Sequence, residues 1–166
     1  MTHFLGSHLN RLDAKGRVSV PAAFRTALRS FGTATEGSVC MILRPSHKYP
    51  CVEAWPQAVF DKLAQQLDRY ELFSPEYDNL AAAIYADAYP IESDKEGRIL
   101  LNEMLAGHAG ISENVTFMGT GPIFQIWEPE AAKQRAAEAR QIVNSSGLTL
   151  GGGPRPVPAL ASAGAA

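Results

Sequence analysis

The 166-residue chain has only two cysteines, Cys40 and Cys51. A single pair without an export signal supports neither a disulfide framework nor a zinc cluster, so both read as small buried residues. The four histidines, His3, His8, His47 and His108, fall in no HxxxH or Cys/His spacing. Without such spacing no metal site or nucleophile–base pair can be assembled, so no cofactor and no enzymatic activity are expected. No run reaches the roughly 18 apolar residues a membrane-spanning helix requires. The opening MTHFLGSHLNRLDAKGR also lacks a basic start, an apolar stretch and a cleavage site. The expectation is a cytoplasmic protein with no membrane partner.

Net charge is low as well, −2, which on average argues against a polyanionic partner. The distribution reverses that argument. Residues 1–30 carry Arg11, Lys15, Arg17, Arg25 and Arg29 against Asp13 alone, whereas residues 31–94 carry four basic and ten acidic side chains. A local basic face on an acidic body still attracts polyanions, because the field within a Debye length of about 8 Å is set by the nearest charges. Hydrophobic residues make up 46 % of the chain, enough for one ordinary domain or two small halves sharing a core.

What the chain does have is a repeat. DAKGR at 13–17 returns as DKEGR at 94–98, and the match extends from LNRLDAKGRVSVPAAFRTAL to PIESDKEGRILLNEMLAGHA. Each copy precedes an apolar strand pair ending in a tryptophan, Trp55 or Trp127, and then a helix opened by Pro56 or Pro129. The spacing falls from 81 residues at the turns to 72 at the tryptophans, which assigns the length change to loops near 32–37 and 44–50. Both tryptophans read as core.

Asp at the first position and Gly at the fourth suit a hairpin turn closed by a left-handed glycine, so Asp13 and Gly16, like Asp94 and Gly97, are the turn-forming residues. Alternation then points Val18 and Val20 into the core and Arg17 to the opposite face. Ile99 and Leu101 take the valine places in the second copy. Short helices follow, the first burying Phe24 and Leu28, the second capped by Asn102 and presenting Met104 and Leu105. Between the halves, 57–69 is amphipathic, and Ser74-Pro75 starts a further helix. The residues from Asn144 onward, NSSGLTLGGGPRPVPALASAGAA, hold no aromatic and are expected to be disordered.

The doubled Asp-x-x-Gly-Arg turn, the opening GSHLNRLDAKGRVSVPAAFR and the later DKEGRILL…GTGPIFQIWEPE resemble the MraZ family of bacterial transcriptional regulators, over residues 4 to about 140. The resemblance implies an α+β, β-rich fold of two tandem SpoVT-AbrB half-domains of the swapped-hairpin type, related by a pseudo-twofold, with short flanking helices. On that scheme residues 1–56 form the first half-domain, 57–86 a helical connector, 87–130 the second half-domain, 131–143 a C-terminal helix and 144–166 the tail. It further implies a ring-shaped homo-oligomer bound to short direct repeats upstream of its own division and cell-wall gene cluster, repression there, and a place in the cytoplasm and nucleoid. The RPSHKYP loop and the Gly/Pro/Ala tail depart from the family's pattern.

Chemically, a turn tip carrying Arg and Lys presents cations on a stiff base, which reduces the entropy lost on binding. Arg17 is the first candidate for DNA contact, since a guanidinium binds phosphate or guanine bidentately. Lys15 and Arg11 add phosphate contacts. In the second copy the places of Arg11 and Lys15 are taken by Glu92 and Glu96, leaving Arg98 and the offset Lys95. The halves are therefore expected to be unequal, with Arg98 the weaker contact, paired with Asp94 or Glu96 or serving the fold. A single Asp-x-x-x-Arg would read as a self-contained exposed ion pair; two copies argue for more. A competing reading is a protein-interaction module of antitoxin-like type, with the acidic middle recruiting a basic partner.

Overall fold

The computed structural model describes residues 3–32 and 37–151. The elements run β1 (Ser7–Arg11), β2 (Arg17–Ser19), α1 (Ala22–Arg29), β3 (Cys40–Pro45), β4 (Val52–Trp55), α2 (Gln57–Leu67), α3 (Pro75–Tyr85), β5 (Tyr89–Glu92), β6 (Arg98–Leu100), α4 (Glu103–Ala109), β7 (Asn114–Gly119), β8 (Phe124–Trp127) and α5 (Pro129–Ser146). Six strands form one antiparallel sheet in the order β1-β7-β8-β4-β3-β5, and β2 pairs with β6 in a separate ribbon.

This order is a palindrome of the two repeats. β1, β3 and β4 correspond to β5, β7 and β8, so the pseudo-twofold passes between β4 and β8, where Glu53 faces Gln125. In the ribbon it passes between Val18 and Ile99, direct partners that occupy the same place in the two copies. The expected hairpin at each Asp-x-x-Gly-Arg turn is corrected accordingly. The turn is closed as a hairpin end, but its two strands part: β1 pairs with β7 and β2 with β6. Pairing β2 with β6 sets Val18 against Ile99 over the shared core, each 1 % exposed, a burial that a local hairpin would give up.

Period-2 alternation divides the large sheet. Met41, Leu43, Val52, Ala54, Val115, Phe117, Phe124 and Ile126 point into the main core, joined by Phe24 and Leu28 of α1 and Leu105 and Ala109 of α4. Phe4, bridged to Gly121, lies among the rings of Phe24 and Phe124. On the other face Ile42 packs with Phe60 of α2 and Ile84 of α3, while Trp127 packs with Cys51 and Ala132.

Local signals act as anticipated at several ends: Ser74 accepts from Tyr77 N–H and Asn102 from Leu105 N–H. Met104 is a correction, 41 % exposed. In so short a helix the buried stripe is Leu105 and Ala109, four apart, and Met104 lies one step round from it. Cys40 is only half-buried and Cys51 fully buried, neither of them in a disulfide; Trp127 is buried and Trp55 half-buried. The helix opened by Pro129 is capped by the Glu128 carboxylate, which accepts from Glu130 and Ala131 N–H. It runs through Asn144, Ser145 and Ser146, which composition had assigned to the tail; residues 152–166, and most of the loop at 32–37, lie outside the described residues. No helix among the described residues is long and apolar enough to cross a membrane.

Candidate nucleic-acid interface

The first turn is built around one carboxylate. Asp13 C=O accepts from Gly16 N–H at 3.0 Å, Asp13 N–H donates to Arg17 C=O at 2.8 Å, and Gly16 takes a φ of 79° that a side chain would penalise. Asp13 Oδ1 accepts from the backbone N–H groups of Lys15 and Arg17, both at 2.9 Å. Asp13 Oδ2 accepts from Arg17 Nε at 2.8 Å. These bonds hold the Asp13 carboxyl below its ordinary pKa, the Arg17 backbone N–H foremost, so the turn keeps its anion at neutral pH.

The second turn repeats each bond. Gly97 donates to Asp94 C=O, Asp94 Oδ1 accepts from Glu96 and Arg98 N–H, and Asp94 Oδ2 accepts from Arg98 Nε at 2.8 Å. Asp94 is likewise held low, again mainly by the Arg98 backbone N–H. The aspartate therefore does two jobs: it folds the turn and fixes the root of the guanidinium.

The ribbon then sets the direction of both arginines. Residues directly opposite in an antiparallel pair share a face, so Arg17 with Leu100 and Ser19 with Arg98 line one side while Val18 and Ile99 line the core side. Arg17 and Arg98 thus emerge on one exposed face, with side chains 35 % and 32 % exposed. Lys15 stands exposed at the first tip, Arg11 exposed at the end of β1, and Lys95 exposed on the second turn.

The arginines differ in what surrounds them. Arg17 bonds Asp13 through Nε only, and its two terminal nitrogens have no protein acceptor among the described residues. Arg98 is held by Asp94 through Nε and by the Glu96 carboxylate through Nη2, and these carboxylates push its pKa further up. In formal charge the first turn keeps one net positive and the second sums to zero.

Two residues escaped the sequence reading. Arg25, which the sequence offered only as one of the five basic residues of 1–30, lies across the second turn and donates from Nη1 to Glu96 C=O at 3.4 Å. Arg44 is 2 % exposed; its Nε pairs with Glu53 at 3.0 Å, Nη1 donates to Ala83 C=O and Nη2 to His47 Nδ1. Arg44 is buried under α3 and joins no exposed face. Among the described residues no group of three His, Cys, Asp or Glu side chains is placed to hold a metal ion.

Comparison with known proteins gives one answer. The family model described as "MraZ protein, putative antitoxin-like" matches residues 3–81 and again 84–146, each stretch holding one of the two turns. A protein of Gluconacetobacter diazotrophicus named transcriptional regulator MraZ is 61 % identical over 140 residues, covering 84 % of this chain and 87 % of that one. Its namesake in Gluconobacter oxydans is 53 % identical over 162 residues, 98 % of this chain and 95 % of that one. One in Azorhizobium caulinodans is 39 % identical over 153 residues, 92 % and 94 % respectively.

Proposed function

Because the chain belongs to the MraZ family of transcriptional regulators, we propose that it binds double-stranded DNA through its Asp-x-x-Gly-Arg turns and regulates transcription by occupying a promoter. The observation that carries this reading is Arg17. A carboxylate fixes the root of its side chain, while its two terminal nitrogens are left free on an exposed ribbon face. Such a fork suits the phosphate backbone or the O6 and N7 edge of guanine. Exposed ion pairs are worth about 0–1 kcal/mol, so Asp13 gives up little when Arg17 turns to a phosphate.

In this scheme Arg17 leads, Lys15 and Arg11 bind phosphate, and Arg98 with Lys95 contributes less because Asp94 and Glu96 already hold Arg98. The half-domains are residues 1–56 and 87–130, joined by the connector 57–86, with α5 continuing beyond the second of them to Ser146. One turn is too small a contact for useful affinity. A ring-shaped homo-oligomer presents many such turns to a series of direct repeats, and each added contact then forms at high effective concentration. Sheet edges at β1 and β5, and the exposed Leu5 and Leu9, support self-assembly. Repression at its own gene cluster, on the nucleoid, is the regulatory outcome proposed.

The test is a gel shift with DNA from upstream of the protein's own gene, with assembly mass measured in the same buffer. Binding as an oligomer that competitor DNA does not displace supports the proposal. An oligomer that ignores this DNA and retains a basic protein instead favours the antitoxin-like interaction module.

A further inference from the structure

The pseudo-twofold is broken beside the two turns. In the second half Arg25 of α1 lies so close over Gly97 that a Cβ there would overlap its guanidinium and its Cδ. The residue of α4 in the place of Arg25 is Ala106: Arg25 N–H donates to Pro21 C=O as Ala106 N–H does to Asn102 C=O, each in the first turn of its helix. Ending at Cβ, Ala106 leaves beside the first turn a groove of about 500 Å³ whose walls include Asp13, Lys15, Gly16, Leu101 and Glu103.

Two features of this groove match a cation. The Lys15 carbonyl, counterpart of the Glu96 carbonyl that accepts from Arg25, takes no donor among the described residues. Glu103 opens α4 where Ala22 opens α1, and its carboxylate has no hydrogen bond or ion pair among the described residues. Beside the turn to which the chain supplies its own guanidinium the equivalent helix starts with Ala22; beside the turn where the guanidinium is missing it starts with Glu103.

We propose that the groove beside the first turn binds a guanidinium group, its stem crossing Gly16 and its head held by the Lys15 carbonyl and the Glu103 carboxylate, as Arg25 lies over Gly97. The group arrives on a free small molecule or as an arginine of a second copy of this chain. The inference is independent of the DNA reading, and its test contains no DNA.

The experiment is equilibrium dialysis of the full chain against labelled L-arginine amide, with L-citrulline amide as the uncharged control. The wild-type chain retains one equivalent, Ala106→Arg none, because it fills the groove internally, and Arg25→Ala still one at the wild-type affinity, because the second groove it empties has Ala22 where the first has Glu103. Glu103→Gln, an exposed change that leaves the core untouched, lowers retention several-fold and serves if Ala106→Arg fails to fold. Sedimentation of the wild type and of Ala106→Arg, or of Glu103→Gln in its place, separates the sources. No retention of the free amide together with a smaller assembly in the variant assigns the groove to an arginine of another copy. Equal retention of the citrulline amide overturns the proposal, as does no retention with an unchanged assembly.

Discussion

Glu53 and Gln125 face each other across the central strand pair of the six-stranded sheet, and each accepts the indole N–H of the tryptophan two residues on, Trp55 at 3.0 Å and Trp127 at 2.9 Å. The same scaffold bond is thus made by an anion in one half and a neutral amide in the other. What differs is the neighbour on the adjoining strand: Arg44 opposite Glu53, Met118 opposite Gln125. Duplication has left a charged and an uncharged solution to one packing problem in a single chain.

That contrast gives a stability test. Glu53→Gln leaves the Arg44 guanidinium buried without its carboxylate, and breaking a buried pair in this way costs about 3–5 kcal/mol. Arg44→Met combined with Glu53→Gln installs the residues of the second half, and most of the loss is expected to be recovered, with a coupling energy above about 1 kcal/mol. Urea denaturation of the wild type, Glu53→Gln, Arg44→Met and the double variant at one concentration measures it; equal midpoints for Glu53→Gln and the double variant would refute the account.

Two glycines should respond in opposite directions. A Cβ at Gly119 would stand 2.7 Å from Leu5 N and overlap the Phe4 carbonyl, backbone that cannot swing aside. Gly119→Ala is expected to cost about 1–3 kcal/mol. Gly107 lies inside α4 with nothing within 4 Å of its would-be Cβ, and Gly107→Ala should add about 0.5–1 kcal/mol, the usual helix preference for alanine. Thermal melts of the pair read both signs.

Much of this was legible in the chain because the signals are local. Asp-x-x-Gly-Arg specifies its own turn, Ser74 and Asn102 mark their helix starts, and the alternation around Val18 places Arg17 outside. The strand partners were not legible, since β1 finds β7 more than a hundred residues away and nothing in Ser7–Arg11 names Asn114–Gly119. Arg44 was missed for a related reason. A lone charge in CMILRP and another in VEAW meet only in the register of β3 on β4, behind the RPSHKYP loop. A single charge of each sign in two neighbouring apolar runs is the signal that could have found the pair. Arg25 gave no signal, because its contact crosses from one repeat to the other.

Acid should loosen the turns. Asp13 and Asp94 titrate below their ordinary 3.8 in the folded chain. The unfolded chain therefore binds protons first, and the stability these carboxylates contribute is fully present above about that value. It declines as pH falls through 3.8 toward the folded pKa. Asp13→Asn with Asp94→Asn should flatten this acid limb while leaving the neutral plateau nearly level. Midpoints measured from pH 6 down to pH 2, both assay settings at about the span this linkage requires, check it; an unchanged acid limb would contradict the role given to the two carboxylates.

The inequality of the halves should appear as a difference in salt dependence. Each lost phosphate contact lowers the slope of log affinity against log salt by about one. Arg17→Ala removes a guanidinium bonded only through Nε, so it should weaken binding to upstream DNA strongly and flatten the slope by about one unit for each phosphate it held. Arg98→Ala removes one already held by Asp94 and Glu96, and should change the slope less. Glu96→Ala supplies the converse: with that carboxylate gone, Arg98 is freer to reach a phosphate, and affinity should rise. Fluorescence anisotropy at four or so salt concentrations separates the variants. If Arg98→Ala matched Arg17→Ala in both affinity and slope, the carboxylates around Arg98 would have no bearing on DNA contact, and the two turns would have to be treated as equal.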